Sequence, residues 1–91
     1  MRRIGHLRAC WVDVFESDYF EGRMHRLFGP LDLGELRAGS VIVGPKSTLE
    51  LSVRKGGKDS VVTLSAKKLV PDLAKSIAGA AVRGAKVRCV G

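Results

Sequence analysis

Four side chains of this sequence have the chemistry of zinc ligands. They are His6, Cys10, His25 and Cys89, and only His6 and Cys10 are close enough in sequence to suggest one site. A four-ligand site would need the fold to gather the other two residues. Scattered ligands of this kind are usually structural or exposed, so we do not expect a zinc centre.

The same residues do not form a pattern for catalysis. Nucleophilic catalysis needs a Ser or Cys with a base within reach, and neither histidine lies in a recognisable motif. The carboxylates of Asp13, Glu16, Asp18 and Glu21 fall in a predicted strand and an exposed hairpin, which does not indicate acid–base chemistry. The chain is therefore not expected to be an enzyme.

The basic side chains of the chain suggest binding of an anionic partner as an alternative function. The chain has a net charge of +7, and residues 51–91 hold nine Lys/Arg against two Asp/Glu. A solubilising surface is the simpler interpretation, while a phosphate track for nucleic acid is the alternative. No aromatic residue follows Phe28, so stacking on bases is not expected there and only backbone binding is plausible. The candidate anion-binding residues are Arg54, Lys55, Lys58, Lys67 and Lys68, with Lys75, Arg83, Lys86 and Arg88 as further members.

These side chains must be positioned by short strands, because apolar residues alternate with polar ones over short segments. Val12 and Val14 alternate against Asp13, which has the period of a half-buried strand. Gly and Pro pairs separate the segments, and no long helix is predicted. The predicted strands are 8–15, 23–28, 40–43, 48–53, 60–64 and 85–90.

Two short helical turns are predicted between these strands. Asp32, with Glu35 three residues later, has the pattern of an N-cap and its reciprocal partner, and Gly39 would end that turn. Asp72 after Pro71 is a second N-cap candidate. The order of elements repeats after a little over 40 positions, which predicts one domain, residues 1–91, built from two similar halves at about 8–44 and 47–91.

The segment Val12–Arg23 carries a more specific pattern, in which Phe15 is followed five residues later by Phe20 and then by Gly22. This spacing, with the strand Ser40–Val43, resembles the Greek-key motif of the βγ-crystallin family. The resemblance implies an all-β, two-sheet antiparallel Greek-key sandwich. It also implies that Phe15 and Phe20 stack across a folded hairpin, that Gly22 supplies a bend with positive φ, and that the Ser40 hydroxyl is buried and holds the hairpin.

The second half departs from that pattern. Aligning Leu49 and Leu51 with Val12 and Val14 places Ser52 and Gly57 where the two aromatics belong, so its hairpin has lost the aromatic corner. Asp59 replaces the glycine, and Gly84 stands where the serine is expected.

Many microbial members of the family bind calcium, and the resemblance allows that function to be tested on the two corresponding loops. The first loop, Glu35–Ser40, keeps one acid and the final serine but has Arg37 in its middle, and the second, Gly79–Gly84, has no side-chain oxygen. Calcium needs six to eight hard oxygen ligands. Glu35 and Ser40 are therefore only weak calcium candidates, and no cofactor is expected.

Cys10 and Cys89 are the only cysteines. We expect two reduced, packed thiols in a cytoplasmic protein, with one bridge between the ends of the chain as the alternative. No signal peptide is visible, and no uncharged run approaches the roughly 18 apolar residues that cross a bilayer.

The sequence thus predicts a non-catalytic structural or interaction module of βγ-crystallin type with degenerate calcium loops. Nucleic-acid binding through the phosphate backbone is the alternative, and weak calcium binding is the third candidate. Self-association stays open, and no membrane partner is expected.

Overall fold

The computed structural model describes residues 9–90 and consists of eight strands and one short helix within that range. This arrangement confirms the predicted all-β, two-sheet antiparallel sandwich. The strands are β1 Trp11–Phe15, β2 Met24–Phe28, β3 Leu31–Leu33, β4 Ser40–Val43, β5 Ser47–Lys55, β6 Lys58–Leu64, β7 Leu69–Val70 and β8 Ala81–Cys89, and the helix, α1, is Leu73–Ser76.

The two halves of the chain exchange a strand. Sheet A has the order β2-β1-β4-β7 and sheet B the order β3-β8-β5-β6, with antiparallel pairing throughout. The third strand of the first half, β3, therefore pairs with β8 of the second half, while β7 of the second half pairs with β4. Each half therefore contributes one strand to the sheet of the other.

The core lies between the two sheets and follows from strict alternation along the strands. Val12 and Val14 of β1 face Leu49, Leu51 and Val53 of β5, and all five are buried. The intervening residues point outward from each sheet. The remaining buried apolar residues are Cys10, Val41, Val43, Leu64, Val70, Leu73, Ile77, Ala85 and Val87.

The first predicted helical turn is wrong. Residues 31–33 form β3, in which Asp32 lies opposite Lys86 of β8. Leu31 and Leu33 are half-buried against the core on either side of the exposed Asp32. Residues 31–33 form a strand rather than the helical turn indicated by Asp32 and Glu35, because β8 supplies a strand partner from the other half of the chain. The second turn is confirmed, since the Lys75 amide donates to Asp72 Oδ1 at 3.2 Å.

The predicted turn at residues 55–58 is confirmed as a two-residue connection, Gly56–Gly57, with φ of +59° and +80°. Both strands of this hairpin are longer than predicted, and β8 begins at Ala81 rather than at Ala85. The reason is that the hairpin runs straight, which lets the adjacent end of β8 pair along it.

Cys10 and Cys89 are joined by a disulfide, with Cα atoms 5.4 Å apart, so the expectation of reduced thiols is wrong. Cys10 precedes β1 and Cys89 ends β8, and the strand exchange brings these two ends of the chain together. Their sequence separation of 79 residues concealed this proximity.

Candidate functional site

The hairpin between β1 and β2 folds back over the outer side of sheet A and is held there by Ser40. The Ser40 hydroxyl donates to the Ser17 carbonyl at 2.7 Å and accepts from the Phe20 amide at 2.9 Å. Ser40 is completely buried. A single side chain at the start of β4 therefore satisfies two backbone groups of the hairpin.

The aromatic pair lies directly beside this serine. The rings of Phe15 and Phe20 meet edge to face with centroids 5.6 Å apart, which is a favoured aromatic geometry. Phe20 and its neighbour Tyr19 have φ of +61° and +53°, a conformation that is unusual for bulky residues. Because the chain turns in this way, Tyr19 projects into solvent, where it is 66% exposed.

Two glycines allow the hairpin to lie this close to the sheet. Gly22 has φ of +81°, and a Cβ there would approach the Glu16 side chain at 3.0 Å. A Cβ on Gly39 would collide with the backbone of Ser17 and would lie 2.6 Å from the Asp18 nitrogen. Sequence reasoning identified Gly22 but took Gly39 only as the end of a helical turn.

The second half places different residues at the equivalent positions. Ser52 pairs with Gly84 as Phe15 pairs with Ser40, so the register matches the alignment made from the sequence. Eight residues separate Phe15 from its partner Met24, and eight also separate Ser52 from its partner Val61. The two hairpins have equal length, yet the second runs straight because it has no aromatic pair and no serine to hold it down.

The weak calcium candidates are not arranged as a pair of ligands. The Glu35 side chain is 67% exposed and lies 3.7 Å from the Arg37 guanidinium. The Ser40 hydroxyl is buried under the hairpin, where its two hydrogen bonds are backbone contacts. In the second loop, Ala81–Gly84 belong to β8. This geometry gives no support to a calcium role for either loop.

The outer side of sheet A, with the hairpin folded onto it, collects every aromatic residue of the chain. Trp11 lies opposite Phe28, Phe15 lies opposite Met24, and Ile42 lies opposite Leu69, all pointing away from the core. We call this surface the aromatic face. Its members are Trp11, Asp13, Phe15, Tyr19, Phe20, Met24, Arg26, Phe28, Ile42 and Leu69.

One ion pair occupies the centre of the aromatic face. Arg26 donates to both carboxylate oxygens of Asp13, at 2.7 and 2.9 Å, and its guanidinium lies 3.9 Å from the centre of the Trp11 ring. The hydrogen bond that Arg26 donates to Asp13 raises the pKa of Arg26, while burial opposes that rise. Because Asp13 is buried and fully paired, the centre of the face has no net charge.

Around this centre, four large apolar side chains are open to solvent. Tyr19, Leu69, Phe28 and Met24 are 66%, 58%, 55% and 46% exposed. Half-exposed side chains of this size present about 100 Å² each, or about 400 Å² together, which is in the range of the largest apolar patch on a monomer. Such patches are often functional surfaces.

The two ends of the aromatic face differ in charge. The hairpin end carries the exposed carboxylates of Glu16, Asp18 and Glu21. At the opposite end, the Lys67 amide donates to the Gly44 carbonyl, and the Gly44 amide donates to the Trp11 carbonyl. The exposed lysines at this end of the face are Lys46, Lys67 and Lys68.

The predicted phosphate track is divided between the two ends of the sandwich. Arg54, Lys55 and Lys58 lie at the tip of the second hairpin, where Lys55 Nζ donates to the Ala78 carbonyl at 2.6 Å. Lys67 and Lys68 follow the far end of β6, and the seven residues of β6 span about 20 Å. The structure therefore does not bring these five cations together.

The structure removes two of the four zinc candidates. Cys10 and Cys89 are consumed by the disulfide, and His6 lies outside the described residues. Within residues 9–90, no group of three or more His, Cys, Asp or Glu is arranged to hold a metal ion. Likewise, no helix in the described part of the chain is long and apolar enough to cross a membrane.

Sequence reasoning missed the aromatic face. Its signal was the matched alternation of Trp11, Asp13 and Phe15 with Met24, Arg26 and Phe28 on the neighbouring strand. Periodicity predicts the core-facing valines between the first three residues, whereas the clustering of the outward residues depends on the pairing of β1 with β2.

Comparison with known proteins gives no match to a family model and no match to a curated protein in sequence. Solved structures do match. One, concerned with the evolution of the eye lens βγ-crystallin domain fold, has a TM-score of 0.72 at 16% identity and covers 91% of this chain and 89% of that one. The N-terminal domain of protein S gives 0.65 at 19% identity, over 88% and 97% of the two chains.

A third match is IPSE/alpha-1 from Schistosoma mansoni eggs, with a TM-score of 0.64 at 16% identity over 87% of this chain and 84% of that one. At these identities the likeness concerns the fold. The folded first hairpin and its serine agree with the resemblance found in the sequence. The chain therefore has the βγ-crystallin fold.

Proposed function

We propose that this protein is a non-catalytic structural module that associates with a second copy of itself through the aromatic face. The observation that carries this proposal is the gathering of all five aromatic residues on one side of one sheet, with Tyr19, Phe28, Met24 and Leu69 left open to solvent. Burying such side chains is the main favourable contribution to association.

The charges around the face favour a second copy as the occupant. Although the whole chain carries +7, residues 11–28 hold four carboxylates against two arginines. A two-fold axis lying in the plane of the face and crossing its strands would place the acidic hairpin end of one copy against the Lys67 and Lys68 end of the other. The face is complementary to itself in that arrangement.

The expected interface is weak. Two copies would bury about 800 Å² of apolar area between them, plus a polar rim, and interfaces of this size are mostly reversible. We expect a monomer–dimer equilibrium in the micromolar to millimolar range rather than a permanent dimer.

Sedimentation velocity from about 10 μM to 1 mM tests the proposal. The double substitution Phe28→Ser and Leu69→Ser should abolish dimer formation. The matched control is Val61→Ser, which removes a side chain of similar exposure (64%) from the outer side of sheet B and should leave the equilibrium unchanged. A chain that stays monomeric throughout this range, or equal loss of dimer in both variants, would overturn the proposal.

Charge exchange tests the two-fold arrangement. Two double variants are compared. In one, Lys67→Glu and Lys68→Glu make both ends of the aromatic face acidic, and in the other, Asp18→Lys and Glu21→Lys make both ends basic. Each variant alone should dimerise less, because ends of like charge would then meet. An equimolar mixture should form the mixed dimer, because both of its end contacts are then between opposite charges. Failure of the mixture to associate would contradict this orientation.

Recognition of another protein by the same fold is known, since IPSE/alpha-1 is an IgE-binding crystallin. The nucleic-acid alternative is less supported, because its cations are split between two ends and Arg54 and Arg88 are paired with Asp59 and Glu50. Labelled single-stranded DNA tests this alternative. Nucleic acid would be favoured as the occupant if this protein binds the DNA more tightly than an equally basic control protein does, and if the double substitution Phe28→Ser and Leu69→Ser weakens that binding.

A further inference from the structure

The straight second hairpin leaves a depression on the outer side of sheet B, at the position where the first hairpin folds down onto sheet A. Its volume is about 410 Å³. The outward-facing side chains among its lining residues include two guanidinium groups, one hydroxyl and one carboxylate. The lining residues are Ser52, Val53, Arg54, Asp59, Ser60, Val61 and Arg83.

A β-bulge brings Arg83 into the depression. Ser52 pairs with Gly84 and Val53 pairs with Val82, so Arg83 is an extra residue of β8. Bulges redirect a side chain relative to the regular strand. Arg83 therefore lines the same depression as Arg54, although the two residues are not partners in the ladder.

The two arginines are left able to bind an anion. Arg54 Nε lies 3.1 Å from Asp59 Oδ1, which orients the guanidinium while its two terminal nitrogens keep their hydrogens for another acceptor. Among the described residues, no carboxylate lies within 4.0 Å of the Arg83 guanidinium. With Lys58 at the nearby tip, the local charge is positive.

We infer that this depression binds a phosphate group between Arg54 and Arg83. Two guanidinium forks can each donate a pair of hydrogen bonds to a tetrahedral oxyanion, and Ser52 offers a hydroxyl donor to a remaining oxygen. Asp59 positions Arg54 and, by its own charge, limits the affinity. The site lies on the sheet opposite the aromatic face and does not depend on self-association.

Titration of the protein with inorganic phosphate at constant ionic strength, followed by backbone amide NMR, tests the inference. The expected result is a saturable shift of the amides of Ser52, Ser60 and Arg83. Parallel titrations with phosphoserine and with a dinucleotide diester show which kind of phosphate the depression prefers. The two guanidinium forks should bind phosphoserine, a monoester, at least as well as inorganic phosphate. They should bind the diester less well, because it carries a single charge. Absence of a saturable response to both inorganic phosphate and phosphoserine would overturn the inference.

Substitutions distinguish specific phosphate binding in the depression from nonspecific attraction to the positive charge of the protein. Arg83→Gln should weaken phosphate binding about fivefold, and Arg83→Lys should also weaken it because the fork is lost while the charge is kept. Lys86→Gln is the matched control, as it removes one charge from an exposed position of the same strand outside the depression. Equal effects of Arg83→Gln and Lys86→Gln, or unchanged binding in Arg83→Lys, would refute the proposed geometry.

Discussion

The hydroxyl of Ser40 bonds to Ser17 and Phe20, which precede it by 23 and 20 positions. The hairpin it holds contains Tyr19 and Phe20 with positive φ, and such backbone conformations cost about 1–3 kcal/mol each in bulky residues. The hydrogen bonds to Ser40 and the packing of Phe20 on Phe15 must offset that cost. A local change at Ser40 should therefore be felt by the whole hairpin.

We predict that Ser40→Ala lowers the free energy of unfolding by about 1–3 kcal/mol, because the Ser17 carbonyl and the Phe20 amide lose their partner beneath the hairpin. Urea denaturation measures the loss, and faster hydrogen exchange of the Phe20 amide should accompany it.

Ser52→Ala is the matched control for this substitution. Ser52 occupies the equivalent register position in the second half but is exposed, so its change should stay within about 0.5 kcal/mol. Equal losses in the two variants would contradict the holding role of Ser40.

Sequence could indicate these residues only through their family pattern. A hydrogen bond between Ser40 and Phe20 leaves no trace in hydrophobic periodicity, because it joins β4 to the loop between β1 and β2. The same limit explains why Gly39 was misassigned. Its role depends on the backbone of Ser17 and Asp18, which is close in space and distant in sequence.

At the scale of elements, two hairpins of equal length adopt different shapes. The first has Phe15, Phe20, Gly22 and Ser40 and folds down, whereas the second has Ser52, Gly57, Asp59 and Gly84 and runs straight. The loss of the corner was predicted by alignment. Its consequence, an extended hairpin beside an open depression, was not, because the bulge at Arg83 depends on how β8 pairs with β5.

Gly39→Ala should disturb the first hairpin specifically. A Cβ at this position meets the backbone of Ser17 and Asp18, which cannot rotate away as a side chain could, so the folded hairpin must lift. We expect a loss of about 1–3 kcal/mol in urea denaturation, the usual cost of overpacking.

The control for Gly39→Ala is Gly34→Ala, where a Cβ meets nothing within 4 Å. That variant should retain the stability of the original chain. A neutral Gly39→Ala would show that the hairpin does not need this close approach.

At the scale of the whole molecule, β3 and β7 each pair with a strand of the opposite half of the chain. Alternating valines and leucines revealed the strands and the sandwich, yet the partners of β3 and β7 lie in the opposite half, and no local pattern encodes them. For this reason the local pattern of Asp32 and Glu35 predicts a helical turn, whereas Asp32 lies in β3. The proximity of Cys10 and Cys89 has no local signal for the same reason.

The disulfide joins the start of the first half to the end of the second, and it should contribute strongly to stability because it closes nearly the whole chain. For a sequence separation of 79 residues, loop closure in the unfolded state predicts a stabilisation of about 4–5 kcal/mol. Reduction should therefore lower the free energy of unfolding by a few kcal/mol, as measured by urea denaturation with and without dithiothreitol. Cys10→Ala with Cys89→Ala should be as unstable as the reduced protein and should not respond to the reductant. Titratable thiols in the oxidised protein, or equal stability of the oxidised and reduced forms, would contradict a bridge that holds the two ends of the chain together.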